Sequence, residues 1–199
     1  MEELHIHNYK IQKTQNEREQ EMILENEKIK QALEYIKEED PVTTQDTLNM
    51  CQIPAPSYKE EKKAEYIRKR FREIGLRDVR IDAVGNVLGI WPGTGEGPSV
   101  MLAAHTDTVF PEGTDLTIRK EGNRYYCPGI NDDTHAVAEM IAVAKAMIHA
   151  DLHTKGDLIF CANVCEEGLG DLRGVKYLFG YENEVSEECP QVDAFVSID

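Results

Sequence analysis

Apolar and polar positions alternate along the chain in two rhythms. Over residues 57–75, "SYKEEKKAEYIRKRFREIG", Ala64, Ile67, Phe71 and Ile74 recur at helical spacing and define one buried face. Ser57 and Glu60 have the spacing of a capping box, and Gly75 suits the position just beyond a helix end. Helical signals also build over "KIKQALEYIKEE" and stop before Pro41, and a second helix is expected from Thr44 to Met50. "DDTHAVAEMIAVAKAMIHAD" is apolar over much of its surface, which predicts a long, well-buried helix, and "DLRGVKYLFG" predicts a short one.

Between these lie short apolar runs. "DVRIDAVGNVLGIWPG" predicts two strands joined near Gly85, and Val100–Ala104 a strand leading into His105. "LTIRKEGNRYYC" predicts a hairpin turning at Gly122-Asn123. "GDLIFCANVCEEG" reads as a strand running into a loop, and "QVDAFVSID" as a last strand. The glycine-rich "GTGEG" at 93–97 lacks the GK[ST] of a phosphate loop and reads as a turn. Helices alternating with apolar strands imply an α/β sandwich.

Composition narrows the function classes. The chain has 199 residues, is 41% hydrophobic and carries a net charge of −15, which argues against nucleic acid or an anionic membrane as main partner. No apolar run reaches the roughly 18 residues of a membrane span. The opening "MEELHIHNYKIQKTQNEREQ" lacks the apolar core of a signal peptide. Five scattered cysteines then suggest reduced thiols and a cytoplasmic setting. Cys161 and Cys165 have no second Cys/His pair, so a structural zinc knuckle is not expected. His5 and His7 read as tail histidines in a polar extension.

Candidate chemistry gathers where the apolar runs stop. His105 and Asp107, Asp132 and Asp133, Glu166 and Glu167, and Asp199 all follow predicted strands or sit at a Pro/Gly turn entering a helix. In open α/β sheets, sites form beyond the carboxyl ends of strands. Residues i and i+2 of extended chain face the same way, so Asp107 could orient a metal-binding His105. By itself "HTD" reads better as a surface histidine with a nearby aspartate after a strand. Asp132 or Asp133 could cap the following helix, and the Glu166-Glu167 pair could be solvated loop. Adjacent carboxylates can also divide roles, one binding metal and one moving protons. One histidine with several carboxylates fits a hydrolytic zinc site that keeps a position open for water. No G-x-S-x-G is present for a serine triad.

Taken together, "MLAAHTDTVFP", "CPGINDDTHAVAEM" and "EEGLGDLRG" resemble the di-zinc exopeptidase and aminoacylase family of peptidase T, carboxypeptidase G and succinyl-diaminopimelate desuccinylase. The likeness runs from about Pro41 to Asp199. It implies a phosphorylase/hydrolase-like three-layer α/β sandwich with a mostly parallel mixed sheet. Residues 1–40 are then a polar, mostly helical extension, and 41–199 the N-terminal part of a truncated catalytic domain.

The resemblance also implies roles. His105, Asp132 and Asp199 would hold one zinc, with Asp132 bridging to a second zinc that Glu167 binds. Asp107 would orient His105, Glu166 would be the general base, and a cis peptide would follow Asp132. The substrate would be a small peptide or N-acyl amino acid. The family's lid and dimerisation domain, and the final histidine of the second zinc, are not among the 199 residues, so the second zinc would be incomplete. Exposed sheet edge would favour self-association, which leaves a homo-oligomer open. His135 takes the region where the family often has Lys or Arg and Gly, a departure expected to be tolerated even if the ring reaches the site.

Overall fold

The computed structural model describes residues 22–180 and 190–199. His5 and His7 lie outside them. Five strands form the main sheet: β1 (Arg77–Ile81), β2 (Val87–Trp91), β3 (Val100–His105), β6 (Leu158–Asn163) and β7 (Ala194–Ser197), in the order β1-β2-β6-β3-β7. β2 is antiparallel to both its neighbours, whereas β6, β3 and β7 run parallel. Four of the five strands therefore point the same way. β4 (Arg119–Glu121) and β5 (Arg124–Tyr126) make the separate hairpin expected around Gly122-Asn123.

Strand residues alternate between two cores, as the pleat requires. Leu102, Ala104, Phe160 and Ala162 face one side, where they meet Ile67 and Phe71 of α3 (Glu61–Ile74) and Met140 and Ile141 of α4 (His135–His149). Met101, Ala103, Ile159 and Cys161 face the other side, where Leu178 of α5 (Arg173–Phe179) covers them. The result is three layers. α4 is apolar nearly all round because it is covered twice: by the sheet and, through Ala146 and Ala150, by Ala32 of α1 (Glu27–Glu38).

Two local expectations are corrected. The helix expected from Thr44 begins at Asp40: α2 spans Asp40–Cys51 and takes Pro41 into its first turn, where the missing N–H costs nothing. The capping box at Ser57 and Glu60 does not form. α3 has no side-chain cap, because both side chains are used elsewhere. Gly75 does end α3, in the left-handed conformation at φ +96°.

Candidate metal centre

β6, β3 and β7 are adjacent and parallel, so their carboxyl ends share one edge of the sheet. His105 is the last residue of β3. Glu166 and Glu167 lie just past the end of β6, and Asp199 just past the end of β7. Asp132 arrives from the Ile130–Thr134 turn that opens α4. His105, Asp132 and Asp199 each bring a ligand atom within 4.8 Å of the others, and so do His105, Glu166 and Glu167. The resemblance pairs Glu167 with Asp132; the geometry also brings Glu167 together with His105 and Glu166, and Asp132 lies near enough to raise it.

Asp107 organises this edge. It is fully buried. Its Oδ2 accepts from Ser57 Oγ at 2.6 Å and from the Glu167 N–H at 3.1 Å, and its Oδ1 accepts from the Glu166 N–H at 2.9 Å. The same Oδ1 lies 3.4 Å from His105 Nδ1, which also sits 3.1 Å from the Asp107 carbonyl. One carboxylate thus fixes the histidine ring and the backbone of both glutamates. Ser57 reaches it because the Pro54–Ser57 loop pairs with the chain beyond β3: Thr108 N–H donates to Ala55 O, and Pro56 bridges to Thr108.

Neither Asp132 nor Asp133 caps α4. Asp132 Oδ1 lies 3.0 Å from His105 Nε2 and is exposed. Asp133 turns inward, and its Oδ2 accepts from the His105 N–H at 2.9 Å. The peptide between the two aspartates is cis. His135 is exposed and its Nε2 lies 3.0 Å from Glu139, one turn further along the same helix.

Electrostatics follow from this packing. Burial opposes charge on His105, but Asp107, Asp133 and Glu166 outweigh it and raise the imidazole to about 9. Burial would also raise Asp107, yet its hydrogen bonds with His105, Ser57 and the two glutamate N–H groups hold it below the usual carboxylate range. Asp133 is pushed up to about 7, by burial first and by Asp199 and Asp132 as well. Its Oδ1 is buried without a hydrogen-bond partner. Burial and Asp132 raise Glu167.

Three contributors were missed in the sequence. Ser57 is one. Glu60 is another: its Oε1 accepts from the Cys165 N–H at 3.0 Å and fixes the chain leading to Glu166. Lys63 is the third, 2% exposed behind the site, with Nζ donating to Thr134 Oγ1 at 3.2 Å. Its signal was legible, since Lys63, Ile67 and Phe71 share one stripe of α3 at i, i+4 and i+8.

The fold and the cluster define an α/β chain with imidazole and carboxylate donors massed at the carboxyl ends of parallel strands. Residues 101–199 match the model of peptidase family M20/M25/M40, and through them the chain belongs to that family. A putative LysW-lysine/LysW-ornithine hydrolase of Pyrococcus abyssi is 34% identical over 119 residues, 60% of this chain and 32% of the relative. The succinyl-diaminopimelate desuccinylase of Corynebacterium glutamicum is 29% identical over 153 residues, 77% of this chain and 40% of the relative. The chain thus spans about a third to two fifths of these relatives' length. Among solved structures, the dipeptidase Dug1p of Saccharomyces cerevisiae shares the fold, with TM-score 0.67 and 18% identity over 85% of this chain and 40% of that one. No helix among the described residues is long and apolar enough to cross a membrane.

Proposed function

We propose that this chain forms the metal-binding part of a zinc-dependent hydrolase that cleaves amide bonds of small peptides or N-acyl amino acids in a reducing, cytoplasmic setting. The observation that carries the reading is the pair of donor groups meeting at His105. The donor set suits the purpose: one imidazole and several carboxylates match a borderline cation such as zinc better than a thiolate-bound structural metal. The relatives' names, hydrolase and desuccinylase, fit the same reaction class. Nucleic acid and membrane are not part of the reading.

In this reading His105, Asp132 and Asp199 hold one zinc, and Glu167 contributes to a second. Residues 41–199 belong to the catalytic domain, and residues 1–40 extend from it. A bound zinc supplies a Lewis acid that polarises the scissile carbonyl and lowers the pKa of bound water. Glu166 takes the proton of the attacking water and returns it to the leaving amine. Asp107 keeps Nδ1 of His105 engaged, so that Nε2 is presented to the metal, and it holds Glu166 in place through its backbone.

Elemental analysis after zinc exposure and gel filtration tests this. About one zinc per chain, lost in His105→Ala and kept in Glu166→Gln, is expected. No bound zinc would remove the reading. In a form that hydrolyses peptides, Glu166→Gln should abolish turnover with zinc retained.

A further inference from the structure

Beside the candidate metal centre lies a pair of side chains that hydrolysis does not use: the thiols of Cys51 and Cys127. They come from distant elements. Cys51 is the last residue of α2, and Cys127 follows β5. Their contacts interlock: Cys51 Sγ is 3.5 Å from Pro128 O, and Cys127 Sγ is 3.8 Å from Cys51 O and 3.4 Å from Leu116 O. Neither is in a disulfide.

The two thiols differ in access. Cys51 is buried and borders a small void shared with Lys63. Cys127 is half-buried and lines an open groove of about 660 Å³ formed with Arg119, Tyr125 and Ile130. Burial and the neighbouring Cys127 push the Cys51 thiol up to about 12. Cys127 is therefore the thiol a small oxidant meets first, and Cys51 the partner waiting behind it.

We propose that Cys51 and Cys127 form an oxidisable thiol pair, a modification site for hydrogen peroxide, whose disulfide loosens the metal-binding turn. Cys127 sulfur attacks one peroxide oxygen, the O–O bond breaks, and a sulfenic acid forms with release of water. Cys51 sulfur then attacks the Cys127 sulfur, the S–O bond breaks, and a second water leaves with the Cys51 proton. In sum two thiols lose two hydrogens and one peroxide is reduced to two waters. A dithiol reductant reverses the bond by exchange.

The consequence for the turn comes from geometry. A disulfide requires its sulfurs about 2.05 Å apart, whereas Cys127 Sγ faces Leu116 O at 3.4 Å and Cys51 Sγ faces Pro128 O at 3.5 Å, so both must leave these carbonyls when the bond forms. Only Pro128 and Gly129 separate it from the Ile130–Thr134 turn that carries Asp132. Gly129 has no slack: its φ is +72°, and a Cβ there would lie 2.6 Å from Thr108 Cγ2. A shift at Cys127 is thus passed to Asp132 on one side and to Thr108, next to Asp107, on the other. This consequence rests on the zinc reading of the turn; the thiol pair itself does not.

The test treats the full chain with hydrogen peroxide, blocks remaining thiols by alkylation and maps cysteine peptides by mass spectrometry. A Cys51–Cys127 linked peptide lighter by two hydrogens is expected. In Cys51→Ser a dimedone adduct on Cys127 should accumulate instead. Zinc affinity of the oxidised chain should fall about tenfold, recover with dithiothreitol, and stay unchanged in peroxide-treated Cys51→Ser. Recovery of both cysteines as alkylated thiols, or pairing of Cys127 with another cysteine, would overturn the site. A linked chain that binds zinc as tightly as the reduced one would overturn the coupling. A linked chain with no zinc affinity in either state would uphold the thiol pair and sink the zinc reading instead.

Discussion

Ser57 donates its hydroxyl to Asp107 at 2.6 Å across fifty residues of sequence, and so ties the loop before α3 to the carboxylate that organises the metal edge. A buried hydrogen bond to a charged acceptor contributes about 1.5–3 kcal/mol. Ser57→Ala should therefore destabilise the chain by about 2 kcal/mol in urea unfolding. Because Asp107 also positions His105, Glu166 and Glu167, zinc affinity should fall by about tenfold. A variant with lowered stability and unchanged zinc affinity would confine Ser57 to a folding role.

His105 makes zinc binding depend on pH. Burial disfavours its charge, but Asp107 at Nδ1, with Asp133 and Glu166 nearby, outweighs burial and raises the imidazole to about 9. A metal on Nε2 must displace the proton there. From pH 6.5 to 8.5 zinc affinity should rise by about tenfold per unit from this group alone. Calorimetry in two buffers of different ionisation enthalpy should find about one proton released per zinc at pH 7.5. Binding with no proton release would mean that His105 is not a ligand.

The strand ends were legible because several apolar runs, each alone open to a bland reading, all stop at a histidine or carboxylate. His105, Glu166, Glu167 and Asp199 were placed at one sheet edge on that basis, and they lie there. What hydropathy patterns omit is which polar group meets which. Ser57 and Glu60 have local capping spacing, yet their partners are Asp107 and the backbone of Cys165, 50 and 105 residues away. The inward turn of Asp133 was hidden for the same reason: of two adjacent aspartates, the sequence does not say which one closes on the His105 backbone.

Lys63 gives a pH signature of stability. Burial lowers its ammonium from the ordinary 10.5 to about 8. Between those values the unfolded chain binds more protons than the folded one, so this group makes stability rise with pH from about 8 to 10.5. Below 8 its full penalty applies, about 3 kcal/mol by the size of the shift. Lys63→Met removes the penalty and also the bond to Thr134. Relative to wild type, Met should be more stable at pH 7, and the gap should shrink toward pH 10 as the lysine of the folded wild type loses its proton. A gap constant from pH 7 to pH 10 in urea unfolding would show that the buried amine is not carrying the predicted charge.

The end of β6 is also held from the opposite side. Asn86 Oδ1 accepts from the Val164 N–H at 3.0 Å, and its Nδ2 donates to Asp82 at 2.7 Å and to Gly174 O at 3.0 Å. Asp82 in turn accepts three backbone N–H groups of the β1–β2 turn. Gly174, in the first turn of α5, has no room for a side chain: a Cβ would lie 2.2 Å from Asn86 Oδ1 and 2.6 Å from Val164 O. Gly174→Ala should force this network apart and cost about 3 kcal/mol, as expected when buried polar groups lose partners. Val164 stands two residues before Glu166, so the Ala variant should also weaken zinc binding, whereas an alanine at exposed Gly95 should leave zinc binding unchanged. Equal zinc affinity in Gly174→Ala and wild type would show that the network steadies the hairpin without reaching the glutamates.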